Sequence, residues 1–358
     1  MRTFQTILVA LTISVLLFSG CKKDDPKKKS IGTIGSLSSG VFISCEGKFM
    51  GGTGSVSFFD RNNGNLYNDL FYTVNGFPLG NIVQSVTIYN GKGFIPVNNA
   101  NKMEVVDAGN FISKATVTGL DLPRYFMGID NGKGYLSQWG LYGGDGSVKV
   151  IDLNTNTVSK TISTGKGAEH MLLFNNKVYV ACNGGYDTDS VVNIIDPATD
   201  AVVNSIVAGT NPAFLQIDAN GKLWVLCIGK WKSDYSALEQ TGKLVKVDLS
   251  TNTVEASLPL VSTYSQPANF VINAAKTKLY YTFSGGVYSQ DVNSSSLNSV
   301  PDINRSFYGL DIDPANDYIY ATDPGNYSSG GWVVRYNSSH AKVDSFKVDI
   351  GPGNFFFK

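Results

Sequence analysis

The sequence predicts an all-β chain folded as a seven-bladed β-propeller, and three observations predict it. A strand–turn–strand pattern recurs seven times, with its turns at Asp60, Asp107, Asp152, Asp196, Asp248, Asp291 and Asn337, spaced 43 to 52 residues apart. Each repeat carries four strand-like segments, and a period of roughly 40–50 residues with four strands per unit marks propeller blades. The composition fits short strands joined by tight turns: 38 Gly, 18 Tyr and 20 Phe, but only 16% charged residues. Outside the first 21 residues there is no convincing amphipathic helix.

The clearest repeat is GSVKVIDLNTNTVSKTISTGKG, residues 146–167. Apolar residues alternate with polar ones on either side of Asp152, which is strand periodicity. The LNTN stretch is turn chemistry, because Asn and Asp tolerate left-handed backbone and bond locally to it. VVNIIDPATDAVV and KLVKVDLSTNTV repeat the pattern at Asp196 and Asp248.

Residues 1–21 read as a secretory leader. Arg2 supplies the positive start, and the apolar run from Ile7 to Phe18 is too short to span a bilayer. Phe18-Ser19-Gly20-Cys21 resembles a bacterial lipobox, which implies cleavage before Cys21 and lipidation of that residue. Several acyl chains would anchor the protein stably. Lys22-Lys23-Asp24-Asp25 resembles the surface-export signal of Bacteroidetes lipoproteins. Residues 22–39 read as a flexible tether and 40–358 as one domain. The expected location is the outer membrane, lipid-anchored and exposed at the cell surface.

Lys plus Arg and Asp plus Glu both number 29, so no broad attraction to nucleic acid is expected. Cys45, Cys182 and Cys227 fall at matching places on the second strands of three repeats. Adjacent blades stand about 10 Å apart, too far for a disulfide. All three are expected as buried free thiols.

Each unit places two strands before the repeat hairpin. Inner strands are expected at VQSVTIY, YFMGID, HMLLF, FLQID, NFVIN and FYGLDID, joined to the second strands by short turns such as NGK. The first unit lacks an inner strand, and GPGNFFFK at residues 351–358 supplies one. It is expected to close the ring beside VFISC and remove a free edge. Blade boundaries fall near residues 80, 123, 167, 212, 267 and 304.

VKVIDLNTNTV, VNIIDPATDAV and VKVDLSTNTV resemble the repeats of YncE-like, surface-layer-type seven-bladed propellers. ISCEGKFMGGTGSVSFFD behind a lipoprotein leader is similar to Bacteroidetes surface propellers of the DUF5074 group. That resemblance implies capture of a nutrient such as cobalamin or another corrinoid beside a TonB-dependent outer-membrane transporter. A carbohydrate- or protein-binding propeller is the alternative, and a calcium-dependent lactonase-like hydrolase is the third reading. The chain is expected to act as a monomer.

Loops between second and third strands, and from blade to blade, share one face in a propeller, and here they are the long ones. Long irregular loops in a compact domain usually carry function. These carry Phe49, Trp139, Tyr142, Tyr186, Trp231, Tyr235 and Tyr327, with Trp332 just beyond, and aromatics displayed on loops make good contacts for ligands. Segments leading into the blades add Arg124, Tyr125, Glu169, His170, Asn269, Arg305 and Phe307 nearer the axis, a plausible polar floor.

No enzyme is expected. The chain has only His170 and His340, and His340, in a hairpin turn, reads as solvated. There is no nucleophile elbow, phosphate loop or zinc pattern. Glu169, Asn269 and Asn354 could mimic part of the axial calcium set of lactonase-type propellers. Asp145, Asp187 and Asp189 could bind calcium peripherally. Neither match is specific, and no cofactor or metal is expected.

Overall fold

The computed structural model describes residues 37–49 and 51–358. Cys21, the leader and the tether up to residue 36 lie outside the described residues. Among the described residues the chain forms seven antiparallel sheets arranged as propeller blades, one further two-stranded hairpin and a single short helix.

The hairpin turns explain why the repeats fold alike. In all seven, the side-chain oxygen of the Asp or Asn accepts the backbone N–H two residues on. The acceptors are Asp60, Asp107, Asp152, Asp196, Asp248, Asp291 and Asn337, at 2.8–3.1 Å. Such a side chain supplies the turn's missing acceptor locally. Four residues past the Asp, the chain turns left-handed at Gly64, Phe111, Asn156, Asp200 and Asn252. Phe111 is a poor residue for that conformation. Its ring, fully buried and stacked on Phe42 at 5.5 Å, holds it there.

The hydrophobic cores lie between blades, because each radial sheet buries both faces against its neighbours. Phe42 and Phe58 of the first blade meet Ile95 and Val97 of the second, and Leu37 packs with them, so the domain already includes residue 37. Trp224 and Leu226 of the fifth blade meet Leu279 and Tyr281 of the sixth. Cys45, Cys182 and Cys227 are free and buried in these cores. Burial pushes each thiol up to about 12, which leaves them as inert small hydrophobes.

Pro352–Phe357 pairs antiparallel with Gly40–Cys45, setting Phe355 opposite Ile43 and Phe357 opposite Val41. The expected closure of the ring by GPGNFFFK is therefore the observed one. Phe355 packs into the seam between the last and first blades with Val41, Ile43 and Tyr320.

Inner strands are tied to their neighbours by side chains. Ser85, Thr87, Gln216, Asn269 and Asn354 each donate to a backbone carbonyl of the next blade, at 2.8–3.1 Å. An inner strand has one edge unpaired, and these donors satisfy part of it.

Three departures from the sequence reading are local. The sixth blade has three strands, Ala268–Ile272, Lys278–Phe283 and Gly286–Asp291, with one bridge from Val287 to Ile303 in place of a fourth. The serine-rich segment after Asp291 satisfies itself locally, with Ser294 Oγ bonded to Ser296 O and Gln290 to Ser294 O. A helix of six residues, Leu70–Asn75, was not foreseen; it buries Leu70 and Phe71 and ends at Gly76 in the left-handed region. His340 is not solvated: its ring packs edge-on against Tyr280, and Nδ1 lies 3.5 Å from Asp302.

Candidate functional site

The long-loop face is where the exposed aromatics gather. Phe49, Tyr142, Tyr186, Tyr235 and Tyr327 stand on loops between second and third strands, and Trp332 follows the last of these loops. Tyr264 and Tyr308 lie on blade-to-blade connections, on the same face. Among the described residues, eight of the ten exposed aromatic side chains belong to this set; the other two, Tyr72 and Phe77, go with the short helix, whose Asn75 bonds to Phe111 O and Ser113 N–H at an opposite-face turn. Exposed aromatics cost free energy in water, so their segregation to one face points to a ligand or partner.

Near the axis the face is built on an ion pair. Arg124 is mostly buried, and its Nη2 lies 2.8 Å from the buried Glu169 carboxylate. Nε donates to the same carboxylate at 3.0 Å, making the contact bidentate. Burial works against the guanidinium charge, yet Glu169 outweighs it and holds the Arg124 pKa above its usual value. Arg124 also donates to Gln84 Oε1, and the Trp139 indole N–H donates to Glu169 Oε2. The Trp139 ring sits 4.3 Å from the guanidinium carbon. One carboxylate thus neutralises Arg124 and aims Trp139.

Trp139 then meets two loop tyrosines. Tyr186 approaches it at 5.6 Å and 82°, and Tyr142 lies 5.4 Å from Tyr186. Below, Tyr125 and His170 pack at 4.2 Å, and His170 and Phe214 at 4.7 Å, forming a row of rings on three successive inner strands. Burial pushes His170 down to about 4, so its imidazole is neutral near pH 7, and Nε2 has no partner among the described residues.

A second cluster joins the first and last blades. Tyr308 donates to Glu46 Oε2 at 2.9 Å and meets Tyr327 edge-on at 5.6 Å. Burial raises the Glu46 carboxyl above its usual range, with Tyr308 and Arg124 opposing that rise.

The other expected residues disperse. Trp231 is half-buried in a small hairpin, Lys230–Trp231 against Leu238–Gln240, with its indole N–H on Gln266 at 2.8 Å. Tyr235 is exposed at that hairpin's tip, and Phe49 stands exposed on the first blade's loop. Arg305 pairs with Asp323 at 2.6 Å and lies over Phe307 at 5.2 Å. Phe307 itself is 8% exposed and packed edge-on to Tyr336, so it is a core residue rather than part of the face. Asn269 spends its amide N–H groups on Thr282 Oγ1 and Tyr308 O.

Among the described residues no three His, Cys, Asp or Glu side chains stand together as a metal site. Glu169 is held by Arg124 and Trp139, while Asn269 and Asn354 bridge blades through their amide N–H groups, to Tyr308 O and to Gln84 O. Asp187 pairs with Lys166, while Asp189 accepts the Lys166 backbone N–H at 2.8 Å.

Sequence reasoning missed Glu46, Gln84 and Tyr308. Glu46 sits in the long EGKFMGGTG loop, and its position beside a Gly-rich stretch was the available signal. Gln84 and Tyr308 become site residues only when the ring brings blades together.

Similarity to known proteins agrees with the architecture. A quinonprotein alcohol dehydrogenase-like protein from Bacteroides thetaiotaomicron aligns at a TM-score of 0.66 and 16% identity, over 90% of this chain and 79% of that one. A functionally unknown protein from Desulfotomaculum acetoxidans gives 0.64 at 13%, over 89% and 99%. Apo AztD from Citrobacter koseri gives 0.52 at 13%, over 88% and 96%. At such identities the likeness concerns the fold alone. No curated protein matches this chain. A family model described as a domain of unknown function, DUF5074, matches residues 39–357, and the chain belongs to that family.

Proposed function

We propose that this protein is a non-enzymatic binding module that captures a ligand on its long-loop face. The observation that carries this reading is the gathering of eight of the ten exposed aromatics among the described residues on that face. Rigid aromatics around polar anchors are what recognition surfaces use. The ligand we propose is a nutrient, a corrinoid such as cobalamin, handed on to a TonB-dependent outer-membrane transporter. The corrinoid rests on the resemblance of the ISCEGKFMGGTG opening and its repeats to surface propellers of the family. A broad ring-rich ligand suits aromatics spread over several blades.

Calorimetric titration of cobalamin tests it. Trp139→Ala and Trp231→Ala, in the third and fifth blades, should each weaken binding about thirtyfold, or about 2 kcal/mol. Lys222→Ala, among the turns of the opposite face, should leave affinity unchanged. No heat with wild type removes the corrinoid, and equal losses from both faces remove the face assignment.

A further inference from the structure

Where the third and fourth blades meet on the long-loop face there is a cavity of about 310 Å³. Trp139, Tyr142 and Tyr186 wall it, and Lys166 and Asp187 stand at its edge. Its volume is at the small end for ligand sites, which run roughly 300–1,000 Å³. That is room for one or two six-membered rings, not for a macrocycle.

The walls form a corner. Tyr186 stands at 82° to Trp139 and at 52° to Tyr142. A flat base or fused aromatic gains most from a ring face parallel to its own. A corner instead suits a body with C–H groups on more than one side and hydroxyls around its rim. The edge chemistry agrees. Lys166 and Asp187 form an ion pair, so a donor stands beside an acceptor with opposed charges, and Asp145 and Asp189 lie close enough to act on Lys166 as well. An anion or a cation would have to break that pair.

The corner is also held in place. Glu169 and Arg124 fix Trp139. The Tyr186 loop is tied to the neighbouring segment by Asn183 N–H to Gly167 O at 2.9 Å and Gly184 N–H to Lys166 O at 3.1 Å. The two backbones touch so closely that a Cβ on Gly167 would lie 2.0 Å from Gly185 N. Pre-set aromatics bind with little ordering cost.

We infer that this corner is a subsite for a neutral pyranose ring, its C–H faces on Tyr186 and Tyr142 and its hydroxyls on Lys166 and Asp187. The inference rests on the reading of this face as ligand-capturing, but not on the corrinoid.

The test is a tryptophan-fluorescence titration with glucose, galactose, N-acetylglucosamine, maltose and cellobiose. At least one should give a saturable change. Tyr186→Ala and Tyr142→Ala should each weaken that sugar about tenfold or more. Tyr142 is 84% exposed, so its loss leaves the fold intact. Lys222→Ala, among the turns of the opposite face, should change nothing. The subsite is overturned if no sugar saturates, if both corner variants bind as wild type, or if Lys222→Ala costs as much as Tyr186→Ala. Cobalamin binding without sugar binding would overturn the subsite and leave ligand capture standing. Sugar binding without cobalamin binding would support the subsite and remove the corrinoid.

Discussion

At the scale of residues, two carboxyl groups of inner strands are held in different ways. Glu169 has a bidentate arginine and an indole N–H, and through them it organises the face. Asp311 has its own chain neighbour, Ile312 N–H, at 2.8 Å. Burial pushes its carboxyl up to about 7, with Asp313 adding to the rise. Its place in the register is informative. Thr87, Gln216 and Asp311 all pair with the third residue of the matching segments KGFIPV, KLWVLC and YIYATD: Phe94, Trp224 and Tyr320. Thr87 and Gln216 donate to the next blade at Phe126 O and Phe270 O. The equivalent acceptor for Asp311 is Phe355 O on the closing strand, and only a protonated carboxyl could donate to it. Because the folded pKa lies above the unfolded one, the folded state binds more protons between about pH 4 and pH 7. Stability should therefore fall as pH rises through that window and level off above it. We predict that Asp311→Asn, an amide that can donate, raises stability at pH 8 by about 1–3 kcal/mol and flattens the slope. Urea unfolding at several pH values reads this. An unchanged slope in the variant would assign the pH dependence elsewhere.

At the scale of elements, the repeat hairpins were legible because one residue sets each turn. Asp152 and its six counterparts all accept the N–H two residues on, so spacing alone located every blade. The short helix at Leu70–Asn75 was not legible, since six residues hold too little period to stand out. The closing strand was legible from form: GPGNFFFK matches other inner strands. Its energetics can be tested. Gly40 and Lys358 exchange backbone hydrogen bonds at 3.1 and 2.9 Å, and Arg61 donates to Lys358 O. Deleting residues 351–358 would bare the edge of Gly40–Cys45 and the seam that Phe355 fills. The expected outcome is an insoluble protein or a large fall in melting temperature. The milder Phe355→Ala should cost about 3–5 kcal/mol while leaving the strand in place. A truncated monomer that melts like wild type would mean that the seam contributes little.

At the scale of the whole molecule, the sequence showed which face carries the long loops but not which of their residues meet. Trp139, Tyr142 and Tyr186 come from two neighbouring blades and meet when those blades pack, while Glu46 and Tyr308, from the first and last, meet only when the ring closes. Phe307 and Asn269 read as site residues by the same logic and turned out to pack and to bridge blades, because a segment leading into a blade serves both purposes. The resemblance of Phe18-Ser19-Gly20-Cys21 to a lipobox and of Lys22-Lys23-Asp24-Asp25 to an export signal leads us to propose an anchored protein facing outward from the outer membrane. The propeller should resist protease, since its chain is paired into sheets and its ends are tied together. Cleavage should then fall in residues 22–36, where Lys22, Lys23, Lys27, Lys28 and Lys29 offer trypsin sites. Brief trypsin treatment of intact cells should release one fragment beginning within that segment and retaining the propeller. If the fragment appears only after the outer membrane is opened, the anchor faces inward, and capture from outside the cell is ruled out.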